Sequence, residues 1–281
     1  DLYNSKKLPK TLILCGDKGI GKFTLVNHFL TYVFDKNYDL KTKKINNLSP
    51  FYVKYLSNVF QNIIYLNCSN LNIEKIRQLK STVLKSSISD INRFIVFDDA
   101  ELLNVNCSNA LLKIIEEPTS NNFFILINNK QKPIIDTIIS RCLEFKMSIT
   151  NKNRIKIIDF LINAYNLDVC IDYKFLKISP GNFYNFNDIC EKNKINLDDN
   201  YLVNLQIILN LYKKEKNINL INLISYITDV YFYKKSFNRN ANLENIFEFR
   251  NYVFSNINKF KLLNINQTSL LNSLSSRLQN E

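Results

Sequence analysis

The sequence predicts an α/β protein, with a doubly wound parallel sheet in its first half and helices in its second half. Between residues 10 and 150, five short apolar runs alternate with helix-like patterns. Each run is β-branched or aromatic and nearly all apolar, which is typical of parallel strands that are covered on both faces. After residue 150 such runs stop, and longer stretches with helical periodicity follow. Because alternating strands and helices form βαβ units, a parallel sheet is expected.

The predicted strands and helices follow one another along the first half of the chain. The strand candidates are Thr11–Cys15, Ile63–Leu66, Phe94–Phe97, Phe123–Ile127 and Leu143–Phe145. The helix candidates between them are Lys22–Val33, Ile73–Lys85, Cys107–Glu117 and Ile134–Ile139. Since right-handed crossovers join parallel strands, the loops that follow the strands meet at one edge of the sheet. The carboxyl ends of the strands are therefore the expected place of a functional site.

Helical periodicity dominates the second half of the chain. Apolar residues fall on one face of a predicted helix over Lys152–Tyr165, and Ser179-Pro180-Gly181-Asn182 is the clearest break after it. Longer periodic stretches then follow over Tyr201–Tyr212, Leu220–Tyr233, Leu243–Ile257 and Leu262–Leu278. The sequence thus predicts an α/β domain over residues 1–148, a small helical domain over 149–193 and a helical bundle over 194–281.

The composition is that of a folded, basic protein. Of the 281 residues, 46% are hydrophobic and 22% are charged, which argues against disorder. Lys and Arg number 37 against 25 Asp and Glu, so the formal net charge is +12. A positive field of this size favours nucleic acid or acidic protein partners. The alternative is compositional drift, because the many Asn, Lys, Ile, Tyr and Phe residues are typical of AT-rich genomes and the excess charge is spread over both halves.

Metal-binding and membrane functions have little support in the sequence. The six cysteines contain no CxxC pair, which excludes a zinc knuckle and leaves buried free thiols as the expectation. His28 is the single histidine, so His-based metal or triad chemistry is not expected, and a packing role is favoured. No apolar run approaches the ~18–20 residues needed to span a bilayer. The chain begins at Asp1 rather than Met, so we expect the true start to lie upstream.

A glycine-rich loop lies between the first predicted strand and the first predicted helix. Gly16-Asp17-Lys18-Gly19-Ile20-Gly21-Lys22 matches the GxxxxGK pattern of a P-loop in its required context. Gly16, Gly19 and Gly21 would let backbone N–H groups turn toward phosphates, and the helix that follows adds its positive dipole end. Lys22 would supply a point charge at the β and γ phosphates. The alternative is a chance glycine-rich turn.

The loop departs from the pattern at the next position. A Ser or Thr should follow the lysine, because its hydroxyl coordinates Mg²⁺. Phe23 stands there instead, and Thr24 comes one residue later. One residue along a helix rotates the side chain by ~100°, so Thr24 should not reach the metal.

Two carboxylates follow the third predicted strand. Asp98 and Asp99 come directly after Phe94-Ile95-Val96-Phe97. On a strand beside the P-loop strand, Asp98 would bind the Mg²⁺ shell, in a Walker-B-like position. Asp99 would stand where ATPases of this class place a Glu that polarises water, and its shorter side chain would weaken that role. The alternative is that the pair caps a helix.

The motifs that follow resemble a known family. The run Asn109-Ala110-Leu111-Leu112-Lys113-Ile114-Ile115-Glu116-Glu117-Pro118 resembles the NALLKxLEEP signature of AAA+ clamp-loader subunits of bacterial DNA polymerase III. Ser140-Arg141-Cys142 resembles their SRC motif, and Ile76-Arg77-Gln78-Leu79 resembles the helix before their acidic strand. The resemblance spans residues 5–190 and is strongest to the delta-prime type. It implies an AAA+ P-loop domain, a small helical lid domain and a helical collar domain.

The resemblance also implies roles for single residues. Arg141 would be an arginine finger, projecting in trans toward ATP held by a neighbouring subunit, where related fingers contribute ~10³–10⁵ in rate. The alternative is a surface ion pair. Asn128 and Asn129 fall where the family keeps a polar sensor of the γ-phosphate. Asn182 replaces a sensor arginine of the active ATPases. Together with Phe23 and Asp99, it indicates little or no ATPase activity of the chain's own.

The implied function is a delta-prime-like scaffold of a pentameric clamp loader in DNA replication. The implied partners are ATPase subunits, a clamp-opening subunit, the sliding clamp and primer–template DNA bound through phosphates, with no membrane and a cytoplasmic location. ATP and Mg²⁺ in the loop remain one alternative, and an empty loop the other. No zinc is expected, since residues 35–62 lack Cys. The alternative functions are an ATP-hydrolysing gamma/tau-type motor subunit and an AAA+ module of another DNA-repair assembly.

Overall fold

The structure is a computed structural model that describes residues 2–84, 91–119, 121–174, 176–237, 243–263 and 266–279. The chain forms two compact units that divide between Thr150 and Asn151. This division lies two residues after the predicted end of the α/β domain. Each unit has its own hydrophobic interior, so each is described by itself.

The first unit is built on a parallel sheet. Within the described residues its strands are β1 (Thr11–Cys15), β2 (Ile63–Asn67), β3 (Arg93–Asp98), β4 (Asn122–Asn128) and β5 (Leu143–Lys146). Their order across the sheet is β2-β3-β4-β1-β5. Every predicted strand is confirmed, with ends displaced by at most one residue. The acidic strand β3 was expected directly beside the P-loop strand β1, and this is wrong, because β4 pairs with both and lies between them. The ends of β3, β4 and β1 still lie in a row at the carboxyl edge.

Helices cover both faces of this sheet. They are α1 (Lys22–Phe34), α2 (Pro50–Leu56), α3 (Ile73–Leu84), α4 (Val105–Ile115) and α5 (Asp136–Ile139). Strand residues alternate between the faces, so that Ile13 packs toward α3, α4 and α5 while Leu14 packs toward α1 and α2. Both faces of the central strands β1, β3 and β4 are therefore apolar, as expected for covered parallel strands. The edge strand β5 differs from this expectation, because all four of its residues are exposed.

The helix ends differ from the prediction in places. Helix α2 was not predicted; it begins after Ser49, whose Oγ accepts a hydrogen bond from Tyr52 N at 3.1 Å. Helix α4 begins two residues before the predicted Cys107 because the Asn104 side chain caps it, accepting from Cys107 N at 2.8 Å. The helix predicted over Ile73–Lys85 corresponds to α3, and its predicted end, Lys85, lies outside the described residues.

The second unit is helical. Its described helices are α6 (Asn151–Tyr165), α7 (Pro180–Lys192), α8 (Tyr201–Glu215), α9 (Ile218–Ser236), α10 (Leu243–Leu263) and α11 (Gln267–Gln279). The predicted break at Ser179 is the start of α7, with Pro180 at its first position. The predicted helix over Leu262–Leu278 is divided between α10 and α11, and residues 264 and 265 lie outside the described residues.

One core joins the predicted lid and collar helices. Ile158 of α6 and Phe183 of α7 belong to the same buried cluster as Leu205 of α8 and Ile224 of α9. The further division of this unit at residues 193 and 194 stays a prediction. Among the helices that the structure describes, none combines the length and apolarity that a bilayer crossing requires.

Candidate functional site

The carboxyl edge of the sheet brings the predicted loop residues together. Gly16 follows β1, and its N–H donates to the carbonyl oxygen of Asn128 at the end of β4 at 3.2 Å. Asp98 ends β3, the strand beside β4. The glycine-rich loop, the acidic pair and the sensor-like asparagine are therefore neighbours, as the parallel topology requires.

Glycine is required at two positions of the loop for two different steric reasons. A Cβ on Gly16 would lie 2.5 Å from the carbonyl oxygen of Met147, closer than real contacts allow. Gly21 has φ +99°, and a Cβ there would meet open space. Gly16 is thus required by close backbone approach and Gly21 by its left-handed backbone. Gly21 immediately precedes α1, whose N-terminal end faces the loop with its positive dipole.

The ammonium group of Lys22 is folded onto its own loop. The residue is 3% exposed, and Nζ donates to the carbonyl oxygens of Gly16 at 2.6 Å and Asp17 at 2.7 Å. Burial lowers the pKa of Lys22, and the nearby carboxylates of Glu101, Asp17 and Asp98 oppose that shift. The loop therefore has its cation at the predicted place, already hydrogen-bonded to two backbone acceptors.

Aromatic groups lie beside the loop at the position that follows Lys22. Phe23 is 40% exposed and packs edge-on against Tyr65, with ring centroids 5.5 Å apart. The Tyr65 hydroxyl donates to Asp98 Oδ2 at 2.6 Å. Burial and this hydrogen bond raise the pKa of Tyr65, so the phenol keeps its proton. Thr24 is exposed, one residue past the position from which a hydroxyl would serve Mg²⁺.

Asp99 is turned toward the end of β4. Its backbone is left-handed with φ +53°, and its Oδ1 accepts from Asn129 Nδ2 at 2.7 Å and from Gln131 Nε2 at 3.2 Å. Its neighbour Asp98 accepts from Asp99 N through Oδ1 at 3.0 Å. Both carboxylates thus already have protein donors. The helix-cap alternative is not what the structure has, since the short 3₁₀ turn after Asp99 has no side-chain cap.

Asn128 and Asn129, the two residues at the sensor-like position, have different hydrogen-bond partners. Asn128 is buried, and its side chain donates to Cys15 Sγ at 3.4 Å and accepts from Lys130 N at 2.8 Å. Asn129 instead contacts the acidic segment, through Asp99 and through a hydrogen bond from its N–H to Glu101 Oε2 at 3.1 Å. The side chain at this strand end that contacts the carboxylates is therefore that of Asn129.

Sequence reasoning missed two residues of this edge, Tyr65 and Glu101. Glu101 is 4% exposed, and its Oε1 has no hydrogen-bond partner among the described residues. Its spacing, Asp98-Asp99-Ala100-Glu101, was a usable signal because a third carboxylate follows the acidic pair within one short turn. Tyr65 carried no such signal, since its approach to Asp98 depends on the pairing of β2 with β3.

Arg141 lies on the surface at the end of α5. Its guanidinium pairs with Glu116, Nη2 to Oε1 at 2.8 Å, and 38% of the Arg141 side chain stays exposed. The surface ion pair that was the alternative reading is thus present, and the side chain remains accessible. Asn182 lies in the first turn of α7, in the second unit, beside the buried Phe183.

The described residues contain no group of three or more His, Cys, Asp or Glu side chains arranged to hold a metal ion. What the edge offers is a backbone loop with one buried lysine, suited to an anion. Asp98, Asp99 and one oxygen of Glu101 already accept hydrogen bonds from other protein groups.

Comparisons with known proteins agree with this geometry. A family model described as "DNA polymerase III, delta subunit" matches residues 1–151. DNA polymerase III subunit gamma of Buchnera aphidicola (subsp. Acyrthosiphon pisum) is 30% identical over 112 residues, which is 40% of this chain and 31% of that protein. DNA polymerase III subunit delta' of Haemophilus influenzae is 29% identical over 87 residues, 31% of this chain and 27% of that protein. The chain thus spans about three tenths of the length of these relatives.

A solved structure extends the likeness of fold over the whole chain. A DNA polymerase III gamma subunit-related protein of Thermotoga maritima superposes with a TM-score of 0.51 at 13% identity, covering 98% of this chain and 97% of that one. The parallel sheet and this likeness confirm the predicted AAA+ fold with a helical second half. Since the family model covers more than half of the sequence, the chain belongs to the family described as DNA polymerase III, delta subunit, a family of clamp-loader subunits.

Proposed function

We propose that this chain is a delta-prime-like clamp-loader subunit that acts in DNA replication in the cytoplasm, as a scaffold that donates Arg141 to a neighbouring ATPase subunit. One contrast between two groups carries the proposal. Asp98, the carboxylate that would serve Mg²⁺, is held by Tyr65, whereas the Arg141 guanidinium is exposed. A subunit built in this way stabilises charge in a neighbour's site better than it hydrolyses ATP in its own.

The P-loop of the chain is proposed to be a nucleotide cradle with little or no turnover. Gly16, Gly19, Gly21 and Lys22 fit a phosphate, because the backbone geometry and the cation are both in place. The residues fit Mg²⁺ poorly, because Phe23 contributes no oxygen ligand. Any ATP held here would rest on backbone N–H groups and the Lys22 ammonium.

The surroundings of Arg141 support a protein partner. Ile139 on α5 and Leu143 and Phe145 on β5 are exposed although apolar. Residues 143 and 145 point to the same face of the strand, since side chains alternate along it. β5 is an edge strand of the sheet. An arginine at an apolar, exposed edge is typical of a subunit interface, and the partners proposed for it are an ATPase subunit and a clamp-opening subunit.

A basic groove between α3 and α4 supports the proposed contact with primer–template DNA. The groove has a volume of about 370 Å³ and is lined by Arg77, Lys80 and Lys113, together with the amides of Asn106 and Asn109. Three cations with amide donors suit phosphate oxygens and carry no sequence preference. DNA is therefore proposed to bind through its backbone, and the sliding clamp is the proposed load.

Arg141→Ala in a reconstituted loader tests the proposal. The expected result is a fall of at least tenfold in the DNA-stimulated ATPase rate, since arginine fingers contribute ~10³–10⁵ where they dominate the transition state. Lys146→Ala, which removes an exposed cation from the neighbouring strand β5, is the matched control and should leave the rate unchanged. An unchanged rate in Arg141→Ala would remove this residue from the mechanism.

The motor-subunit alternative is favoured by one observation, the intact glycine loop with Lys22. It predicts that the isolated chain hydrolyses ATP with Mg²⁺ and that Lys22→Ala abolishes turnover. The scaffold proposal predicts no measurable turnover by the isolated chain, so the same assay separates the two functions.

A further inference from the structure

The guanidinium of Arg141 is held through its two terminal nitrogens. Nη1 donates to the Thr137 carbonyl oxygen at 2.9 Å and to Ser140 Oγ at 3.4 Å. Nη2 forms the ion pair with Glu116 at 2.8 Å. The first two acceptors belong to the same short segment as the arginine. Glu116 is the anchor that comes from a different part of the chain.

Glu116 is itself held in a fixed place. It is the C-cap of α4, and its N–H donates to the Leu112 carbonyl oxygen at 3.0 Å. Leu111, Ile114 and Ile115 of the same helix are buried against the sheet. The backbone that carries this carboxylate thus belongs to a helix end packed on the sheet, separate from the segment that carries Arg141. The carboxylate therefore ties the orientation of the guanidinium to the sheet.

The anchored side chain keeps donors for an outside ligand. A guanidinium has five N–H donors. Within the described part of the chain, Nη1 makes hydrogen bonds to Thr137 and Ser140, and Nη2 forms the ion pair with Glu116. None of these contacts uses the Nε–H, so it is available to a phosphate oxygen. The anchor thus restrains the arginine without consuming its capacity to bind phosphate.

The ion pair contributes little to folding but can contribute much to geometry. The two side chains are 38% and 44% exposed, and pairs of this kind add little stability. A free arginine, however, has a large rotamer entropy to lose when it meets a phosphate. Catalysis depends strongly on the placement of such charges before the reaction. We infer that Glu116 is a positioning residue that aligns this guanidinium for the nucleotide of the neighbouring subunit. This inference rests on the proposed function of Arg141.

The test uses the reconstituted loader with wild-type partner subunits, sliding clamp and primed DNA. Glu116→Ala should lower kcat for ATP about fivefold, the equivalent of about 1 kcal/mol for an exposed ion pair, and should change KM less than twofold. Glu116→Gln keeps a hydrogen-bond acceptor and should recover part of the rate. Glu117→Ala removes the adjacent exposed carboxylate and should have no effect. Thermal unfolding of each variant checks that the fold is kept.

A double-mutant cycle separates positioning from a general effect on structure. In the Arg141→Ala background, Glu116→Ala should cause no further loss. An additive loss, a rate equal to that of Glu117→Ala, or a rise in rate from removing the negative charge would each overturn the inference. If Arg141→Ala lowers the rate and Glu116→Ala does not, this inference alone fails. If Arg141→Ala is itself silent, the proposed function fails as well.

Discussion

The Tyr65 hydroxyl donates a hydrogen bond to Asp98 Oδ2 over 2.6 Å. The ring that carries it packs against Phe23, which stands where a metal-binding hydroxyl would be expected. The two aromatic residues thus lie at the two positions where the P-loop pattern would place protein ligands of Mg²⁺. Phe23 stands in place of the hydroxyl, and Tyr65 donates to the Asp98 carboxylate.

This arrangement predicts that nucleotide binding by the isolated chain is nearly independent of Mg²⁺. The double variant Phe23→Thr/Tyr65→Phe restores a hydroxyl and releases Asp98. Its affinity for ATP should become about tenfold higher in Mg²⁺ than in EDTA, a difference of about 1.4 kcal/mol. Titration of a fluorescent ATP analogue measures the ratio of the affinities in Mg²⁺ and in EDTA, for the wild type and for the double variant. Phe23→Thr/Tyr52→Phe is the matched control, and a Mg²⁺ requirement already present in the wild type would show that Tyr65 does not block the site.

Two of the three loop glycines, Gly16 and Gly21, should tolerate alanine differently. Gly16→Ala places a Cβ against the Met147 carbonyl, a backbone atom that cannot move aside cheaply, so a loss of about 3 kcal/mol in the free energy of unfolding is expected. Gly21→Ala meets open space and incurs only left-handed backbone strain of about 1–2 kcal/mol. Urea unfolding of the two variants compares them. Equal losses would mean that steric contact at Gly16 is relieved elsewhere.

The groove between α3 and α4 should contribute salt-dependent DNA binding. Removing Arg77, Lys80 and Lys113 together should weaken binding of primed DNA by the loader and reduce the slope of log affinity against log salt by about 2 to 3. Lys75→Ala, on the same helix but outside the groove, is the control. Fluorescence anisotropy at several salt concentrations gives the slope. A slope unchanged in the triple variant would place the DNA elsewhere.

Alkaline pH should destabilise the second unit through its buried thiol. Burial raises the pKa of Cys190 from its ordinary value of 9.0 to about 12. The unfolded chain therefore releases this proton first, so the stabilisation is complete below pH 9 and is lost as the pH rises toward 12. The thiol should add a slope of about −1.4 kcal/mol per pH unit within that window. Urea unfolding between pH 8 and pH 11 measures the slope.

Cys190→Ala should remove that part of the slope. Ile195→Val trims the same core without removing a titrating group, so it should keep the wild-type slope while lowering stability at every pH. A slope that is identical in Cys190→Ala and Ile195→Val would show that the thiol does not carry the effect.

The central strands β1, β3 and β4 were predictable because burial on both faces leaves a plain signal, a short run that is nearly all apolar. The edge strand β5 is exposed throughout and was found from its apolar residues Leu143 and Phe145 alone. β1, with Thr11–Cys15 buried throughout, was predicted to the residue. Helix α2 was missed because seven residues are too few for periodicity, although Ser49 and Pro50 mark its start. The loop and Arg141 were found because their chemistry lies in contiguous motifs.

The contacts that decide how the site works were not predictable in the same way. The strand register pairs Tyr65 with Val96, two residues before Asp98, and only that pairing brings the phenol within reach of the carboxylate. The ion pair of Arg141 with Glu116 likewise joins two motifs that are separate in the sequence. Pairings of this kind are set by tertiary packing, so composition and periodicity carry no trace of them.

The Lys22 ammonium already has two acceptors within its own turn, the carbonyls of Gly16 and Asp17. A phosphate that binds has to compete with these carbonyls for the ammonium group. When the phosphate leaves, the ammonium group still has both acceptors. The loop can therefore keep its conformation whether or not a nucleotide is bound. In a subunit whose proposed function is a scaffold, assembly would then not depend on the concentration of ATP in the cell.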